Sequence, residues 1–136
     1  MNITNNHISK AGKYGIHFYN TKFTGNLTKN TIEDTTRGFS IRWNNTTFTG
    51  TISKNKVLNS SDIAMWFNDS KIKGNVDGNI VNKGLKTGIY FTHTSVDGNI
   101  TNNTVKNMKG NIEGKSIHIK NKTFQKYTQC NKNWFI

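Results

Sequence analysis

One short pattern returns through this chain at a nearly constant interval, and it constrains the fold more than any other feature. An apolar residue is followed three positions later by asparagine and two further on by a second apolar residue. The copies are Ile3–Asn6–Ile8, Leu27–Asn30–Ile32, Ile52–Asn55–Val57, Val76–Asn79–Val81 and Ile100–Asn103–Val105. Numbered 6, 30, 55, 79 and 103, the asparagines are separated by steps of 24, 25, 24 and 24. A fixed period of this size marks a repeat architecture, in which each unit buries its apolar face against its neighbours.

The residues between the asparagines say what the unit is. Gly15-Ile16-His17-Phe18-Tyr19 alternates with the period of a strand, Ile16 and Phe18 facing one way. Ile41 and Trp43, Met65 and Phe67, and Ile89 and Phe91 take the same places in later copies. A second alternating stretch centres on Phe23 and returns at Phe48, Ile72 and Val96. In the fifth copy the pattern assigns these places to Ile117, Ile119 and Phe124, after a turn between Val105 and Ile117 about four residues longer. That insertion makes Asn131 a sixth member of the asparagine column. No window shows a 3.6-residue apolar period, so no helix is expected. The chain has no proline, which suits strands whose amides all bond to neighbouring strands.

Three short strands in 24–25 residues is one coil of a single-stranded parallel β-helix, with coils stacked about 4.8 Å apart. The expected fold is therefore all-β, a single domain over residues 1–136. Its coils run roughly over 1–25, 26–50, 51–74, 75–98 and 99–126, with 127–136 as a partial sixth coil or C-terminal cap. Only 32% of the 136 residues are hydrophobic. That is few for a globule with separate core and surface, but enough for a stack in which they recur in register. Ile3, Ile8, Ile16, Phe18, Phe23 and their equivalents form the apolar columns. Asn6, Asn30, Asn55, Asn79, Asn103 and Asn131 occupy a tight bend, where asparagine tolerates a left-handed backbone and its amide can bond the next rung as a ladder. Gly25, Gly50, Gly74 and Gly98 make a further column. They either face inward to leave room for Phe18, Trp43, Phe67 and Phe91 or form a bulge in each rung.

The two repeated signatures, Ile-x-x-Asn-x-Ile (Ile3 to Ile8) and Gly-Ile-x-Phe (Gly15 to Phe18, Gly88 to Phe91), resemble the right-handed parallel β-helix of the pectin-lyase-like superfamily. The resemblance covers nearly the whole chain. It implies a right-handed coil with the first sheet at Gly15–Tyr19, the second at Phe23–Leu27 and the third around Ile8. It also implies that any saccharide cleft lies on the exposed face of the first sheet and its bordering loops. Such a fold hosts lyases, hydrolases, epimerases, phage tail proteins and adhesin-like spacers, so activity does not follow from it. Members of that superfamily often close the N-terminal end with a helix, whereas this chain starts directly on a rung. The expectation is a piece of a longer protein, a decayed gene product, or a chain whose open end is capped by another copy.

On the first sheet, the residues between the inward positions face out: His17, Arg42, Trp66, Tyr90 and His118. Beside them run Tyr19, Asn44, Asn68, Thr92 and Lys120. Aromatic faces can stack on sugar rings and cationic side chains can bind carboxylates or phosphates. His17, Tyr19, Arg42, Trp66, Tyr90, His118 and Lys120 are thus the candidate glycan-binding residues. A net charge of +12 favours a polyanion. Hydrolysis of glycosides needs a pair of carboxylates, and calcium needs several around the ion. On this alternation neither outward column holds an acid, so no catalytic residue, metal or cofactor is expected. An Asp-Pro-His site is impossible without proline, and Arg42 is the only placement for a lyase-like arginine base. His7, His17, His93 and His118 lack metal-ligand spacing. Cys130 is alone and has no nucleophile signature. No apolar run is long enough to cross a membrane, the N-terminus has no apolar signal segment, and no nucleic-acid module is present.

The expected function is a module that binds an extracellular polymer, with an acidic polysaccharide as its class. The alternatives are a structural segment of an adhesin-like or phage tail protein, or a residual polysaccharide lyase or epimerase fragment. The expected location is extracellular, at a cell surface or on a virion, as part of a longer protein.

Overall fold

The computed structural model describes residues 1–119, and in them the chain is a stack of parallel coils. Every strand pairing is parallel, and each partner lies 23 to 25 residues away, one coil on. The first sheet stacks Tyr14–Tyr19, Phe39–Asn44, Met65–Asn68 and the leading halves of Thr87–Asp97 and Gly110–Ile119. The third sheet stacks His7–Ser9, Thr31–Thr35, Lys56–Ser60, Ile80–Gly84 and Thr104–Lys106. The second stretch is divided in two at the glycine column, as Lys22–Thr24 followed by Asn26–Thr28 in the first coil.

Alternation within each strand sends one side chain of every two into the bore. There they meet their equivalents from adjacent coils. Leu27, Ile52, Val76 and Ile100 form one buried column, and Ile32, Val57, Val81 and Val105 another. The largest column is aromatic. Trp43 stacks on Phe67 with ring centroids 4.0 Å apart, and Phe67 on Phe91 at 4.4 Å. Parallel in-register stacking forces like onto like, so one residue choice repeated every coil builds a continuous apolar rod.

The asparagines behave as a ladder. The backbone N–H and side-chain Nδ2 of Asn55 both donate to Asn79 Oδ1, at 3.1 and 3.0 Å. Asn55 Oδ1 in turn accepts from the N–H and Nδ2 of Asn30. Asn55 Nδ2 also donates to the carbonyl oxygen of Leu27 at 2.9 Å. Asn30, Asn55 and Asn79 are wholly buried and Asn103 nearly so, whereas Asn6 is exposed. The left-handed backbone sits one residue earlier than expected, at Asn5, Lys29, Lys54, Gly78 and Asn102. The ladder asparagines are needed for their amides, which cross-link a bend whose orphaned polar groups are out of reach of water. Asn131 lies outside the described residues.

Two expectations change. The glycine column does not make room for aromatic rings. At Gly50 and Gly74 φ is +146° and +154°, and a Cβ there would strike the backbone carbonyl of the glycine one coil below. The glycines are demanded by close approach of backbone to backbone. The fifth coil also carries no insertion. Ile89 pairs with Ile112, Phe91 with Gly114 and Val96 with Ile119. The coil is thus one residue short, at 23. Gly114 stands where earlier coils have Phe18, Trp43, Phe67 and Phe91, so the Ile-x-bulky pair marking this sheet is missing. Ile117-x-Ile119 imitates it five residues on. Phe124 lies outside the described residues.

Candidate functional site

The outer face of the first sheet carries a strip of rings with one guanidinium embedded in it. His17, Arg42, Trp66 and Tyr90 are register partners on successive coils, so the strip climbs about 4.8 Å per residue. The next partner is Glu113, not His118. A carboxylate therefore ends the column where a histidine was expected. Glu113 is 6% exposed and accepts a hydrogen bond from the Thr87 hydroxyl at 3.0 Å. His118 pairs instead with Ser95, on the face beyond the bend. There it lines a groove of about 480 Å³ with Asp69, Lys71, His93 and Ser116. The flanking column is Tyr19, Asn44, Asn68, Thr92 and Lys115. Lys120, expected at its top, lies outside the described residues.

Two residues join the strip that strand alternation does not predict. Counting by twos from Ile16 and Ile41 turns Tyr14 and Phe39 inward. Instead Tyr14 lies against His17, with ring centroids 4.2 Å apart, and Phe39 lies against Trp66 at 4.8 Å. The signal that could have found them is Ser40, a small polar residue buried between Phe39 and Ile41. Its hydroxyl bonds those of Thr35 and Ser60 at 2.9 and 3.1 Å, so consecutive residues 40 and 41 both point in and alternation breaks before the strip begins.

Arg42 is the electrostatic centre. Its guanidinium carbon lies 4.6 Å from the centroid of the Trp66 ring, 5.2 Å from that of Phe39 and 6.0 Å from that of Tyr14. Nη1 donates to the Tyr14 hydroxyl at 3.2 Å. Such cation–ring contacts hold an arginine in one orientation while leaving its charge uncancelled. Trp66 is fixed by a chain of hydrogen bonds. Its Nε1 donates to Thr92 Oγ1 at 2.8 Å, Thr92 donates to Asn68 Oδ1 at 2.6 Å, and Asn68 Nδ2 donates to Asn44 Oδ1 at 3.1 Å. Tyr90 stacks over Trp66 with centroids 6.5 Å apart and planes 17° from parallel. Tyr19 is the most exposed of the rings, at 59%. Burial, then the nearby charges of Arg42 and Lys13, hold the His17 pKa below its ordinary value.

The face holds few groups for acid–base chemistry. Glu113 is its single carboxylate among the described residues, and an acid–base pair for glycoside hydrolysis needs two. Arg42 and Glu113 are three coils apart, about 14 Å, too far to act on one sugar. Among the described residues no group of three or more His, Cys, Asp or Glu is placed to hold a metal ion, and no helix is long and apolar enough to cross a membrane.

The family described as a right-handed β-helix region matches residues 1–133 of the chain. Neither the curated proteins nor the solved structures yield a match.

Proposed function

The chain belongs to the right-handed β-helix family, and on that premise we propose that it is a binding module for an extended extracellular polymer, an acidic polysaccharide. The polymer lies along the first-sheet face over coils one to four and is not cleaved there. The observation that carries this reading is the strip itself: Tyr14, Phe39 and Trp66 around the charged Arg42, with Tyr90 stacked beyond Trp66. Rings offered at one per coil match a ligand that repeats at a comparable step, and rigid aromatic side chains lose little conformational entropy on binding. The net charge of +12 would draw a polyanion toward the molecule. Glu113 ends the strip at its upper end with a buried carboxylate in place of a ring, so the binding run is confined below it.

A second reading, a structural segment without a ligand, has one observation in its favour. Trp66 and Arg42 already have partners in Thr92 and Tyr14. A glycan array spanning acidic and neutral polysaccharides separates the two. Binding to acidic members, weakened at least about tenfold (about 1.4 kcal/mol) by Trp66→Ala and by Tyr90→Ala, is the expected outcome. Retention of no glycan, or binding indifferent to both changes, selects the structural reading.

A further inference from the structure

The lower end of the strip holds two nitrogens that the protein does not satisfy. His17 Nε2 and Arg42 Nε are buried and have no hydrogen-bond partner, and their residues face each other across adjacent coils. Leaving such donors and acceptors unpaired costs on the order of 1–3 kcal/mol each. The Tyr14 ring covers the pair, against His17 on one side and bonded to Arg42 on the other. The charged groups that act on His17 are both cations: Arg42 from the coil above and Lys13 from the turn before its own strand. The other neighbours of the pair, Tyr19, Phe39 and Trp66, carry uncharged rings. Among the described residues neither Lys13 nor Arg42 forms an ion pair with a carboxylate.

We propose that Tyr14, His17 and Arg42 form a discrete anion subsite, which takes one carboxylate or sulfate of the bound polymer and draws a proton onto His17 as it fills. It rests on the polymer-binding reading for the identity of its natural ligand. The Tyr14 side chain swings away from Arg42 to admit the anion. The anion then accepts from Arg42 and from imidazolium, and its charge offsets the repulsion among Arg42, Lys13 and protonated His17. Without the anion that repulsion and burial oppose protonation. Proton uptake and anion binding are therefore linked, and each strengthens the other by the same factor. One linked proton makes affinity rise up to about tenfold for each unit that the pH falls, between the histidine's free and bound pKa values.

The test is calorimetric titration of the intact chain with sulfate, glucuronate and polygalacturonate, at about pH 7.5 and about pH 5.5, either side of the ordinary histidine pKa. The His17 ring proton shifts are followed by NMR alongside. The expected result is tighter binding at the lower pH and a His17 titration moved to higher pH by saturating anion. His17→Gln should bind with a flat pH profile, and Arg42→Gln should lose sulfate. A His17 titration unchanged by saturating anion, or a pH dependence that persists in His17→Gln, overturns the subsite. The two proposals fail separately. Sulfate and glucuronate that move the His17 titration while no polymer binds leave the subsite standing and remove the polymer reading. Polygalacturonate that binds while neither sulfate nor glucuronate moves the His17 titration, and with no pH dependence, does the reverse.

Discussion

At the scale of single residues, the asparagine amide carries the most weight per atom. Asn55 donates through Nδ2 to Leu27 and Asn79 and accepts at Oδ1 from the backbone and side chain of Asn30. All of this is out of water. Truncating it strands several buried partners, and each unsatisfied group costs on the order of 1–3 kcal/mol. Asn55→Ala should therefore destabilise by about 3 kcal/mol or more, read as a lowered urea midpoint at unchanged slope. Asn6 offers the same amide to Asn30 from an exposed position. Water replaces what Asn6→Ala removes, and the expected loss is below about 1 kcal/mol. Equal effects at the two sites would show that ladder position, rather than burial, sets the cost. The chain foretold the ladder but not its geometry. Asparagine is common where the backbone turns left-handed, so recurrence at a bend suggested that role, while the preceding residue takes it instead. A bend and its neighbour cannot be told apart by spacing alone.

At the scale of the strand and sheet, the controlling fact is stacking in register. The aromatic column within the first sheet is continuous from Trp43 to Phe91, with Phe67 held between two nearly parallel rings. Phe67→Ala removes a buried ring from the middle of a rod that cannot collapse sideways. It should cost about 3–5 kcal/mol by thermal or chemical unfolding. Phe67→Leu keeps most of the volume and should cost clearly less; no difference between the two would mean that the coils close over the gap. The same stacking explains the fifth coil. There Gly114 follows Phe91, and with the large residue gone the apolar pattern has no landmark. Ile117 and Ile119 offered a false one. The register is decided by the backbone ladder between Thr87–Asp97 and Gly110–Ile119, whose pairs run from Thr87 with Gly110 to Val96 with Ile119. This shift put Glu113 onto the candidate face and moved His118 off it.

At the scale of the whole molecule, the stack is quasi-one-dimensional: each coil bonds to the coils above and below and to little else. Stability in such an array is approximately a sum over coils and the interfaces between them. Excising residues 51–74, one full period, would bring Asn30 into register with Asn79 and Gly50 next to Asn75. The shortened chain should keep its β signature by circular dichroism and unfold cooperatively at a lower midpoint. Removing half a period should abolish folding, because inward and outward columns would no longer align. A half-period deletion that folds as well as the full one would contradict the stacked-coil account.

The sequence by itself determined the architecture, the period, the ladder and, in the first four coils, the identity of the buried columns. Those depend on which residue recurs at a fixed interval, and recurrence is legible in one dimension. It also located four of the outer-face residues, His17, Arg42, Trp66 and Tyr90, because simple alternation holds through that part of the strands. Only the tertiary structure decided what the face is made of at its two ends. Tyr14 and Phe39 enter it because two consecutive buried residues, Ser40 and Ile41, break the alternation beside them. Glu113 enters it because a one-residue contraction leaves no apolar mark. The strip proposed as the binding face is thus defined at its edges by pairing between coils, a property of neighbours distant in the chain that no local pattern records.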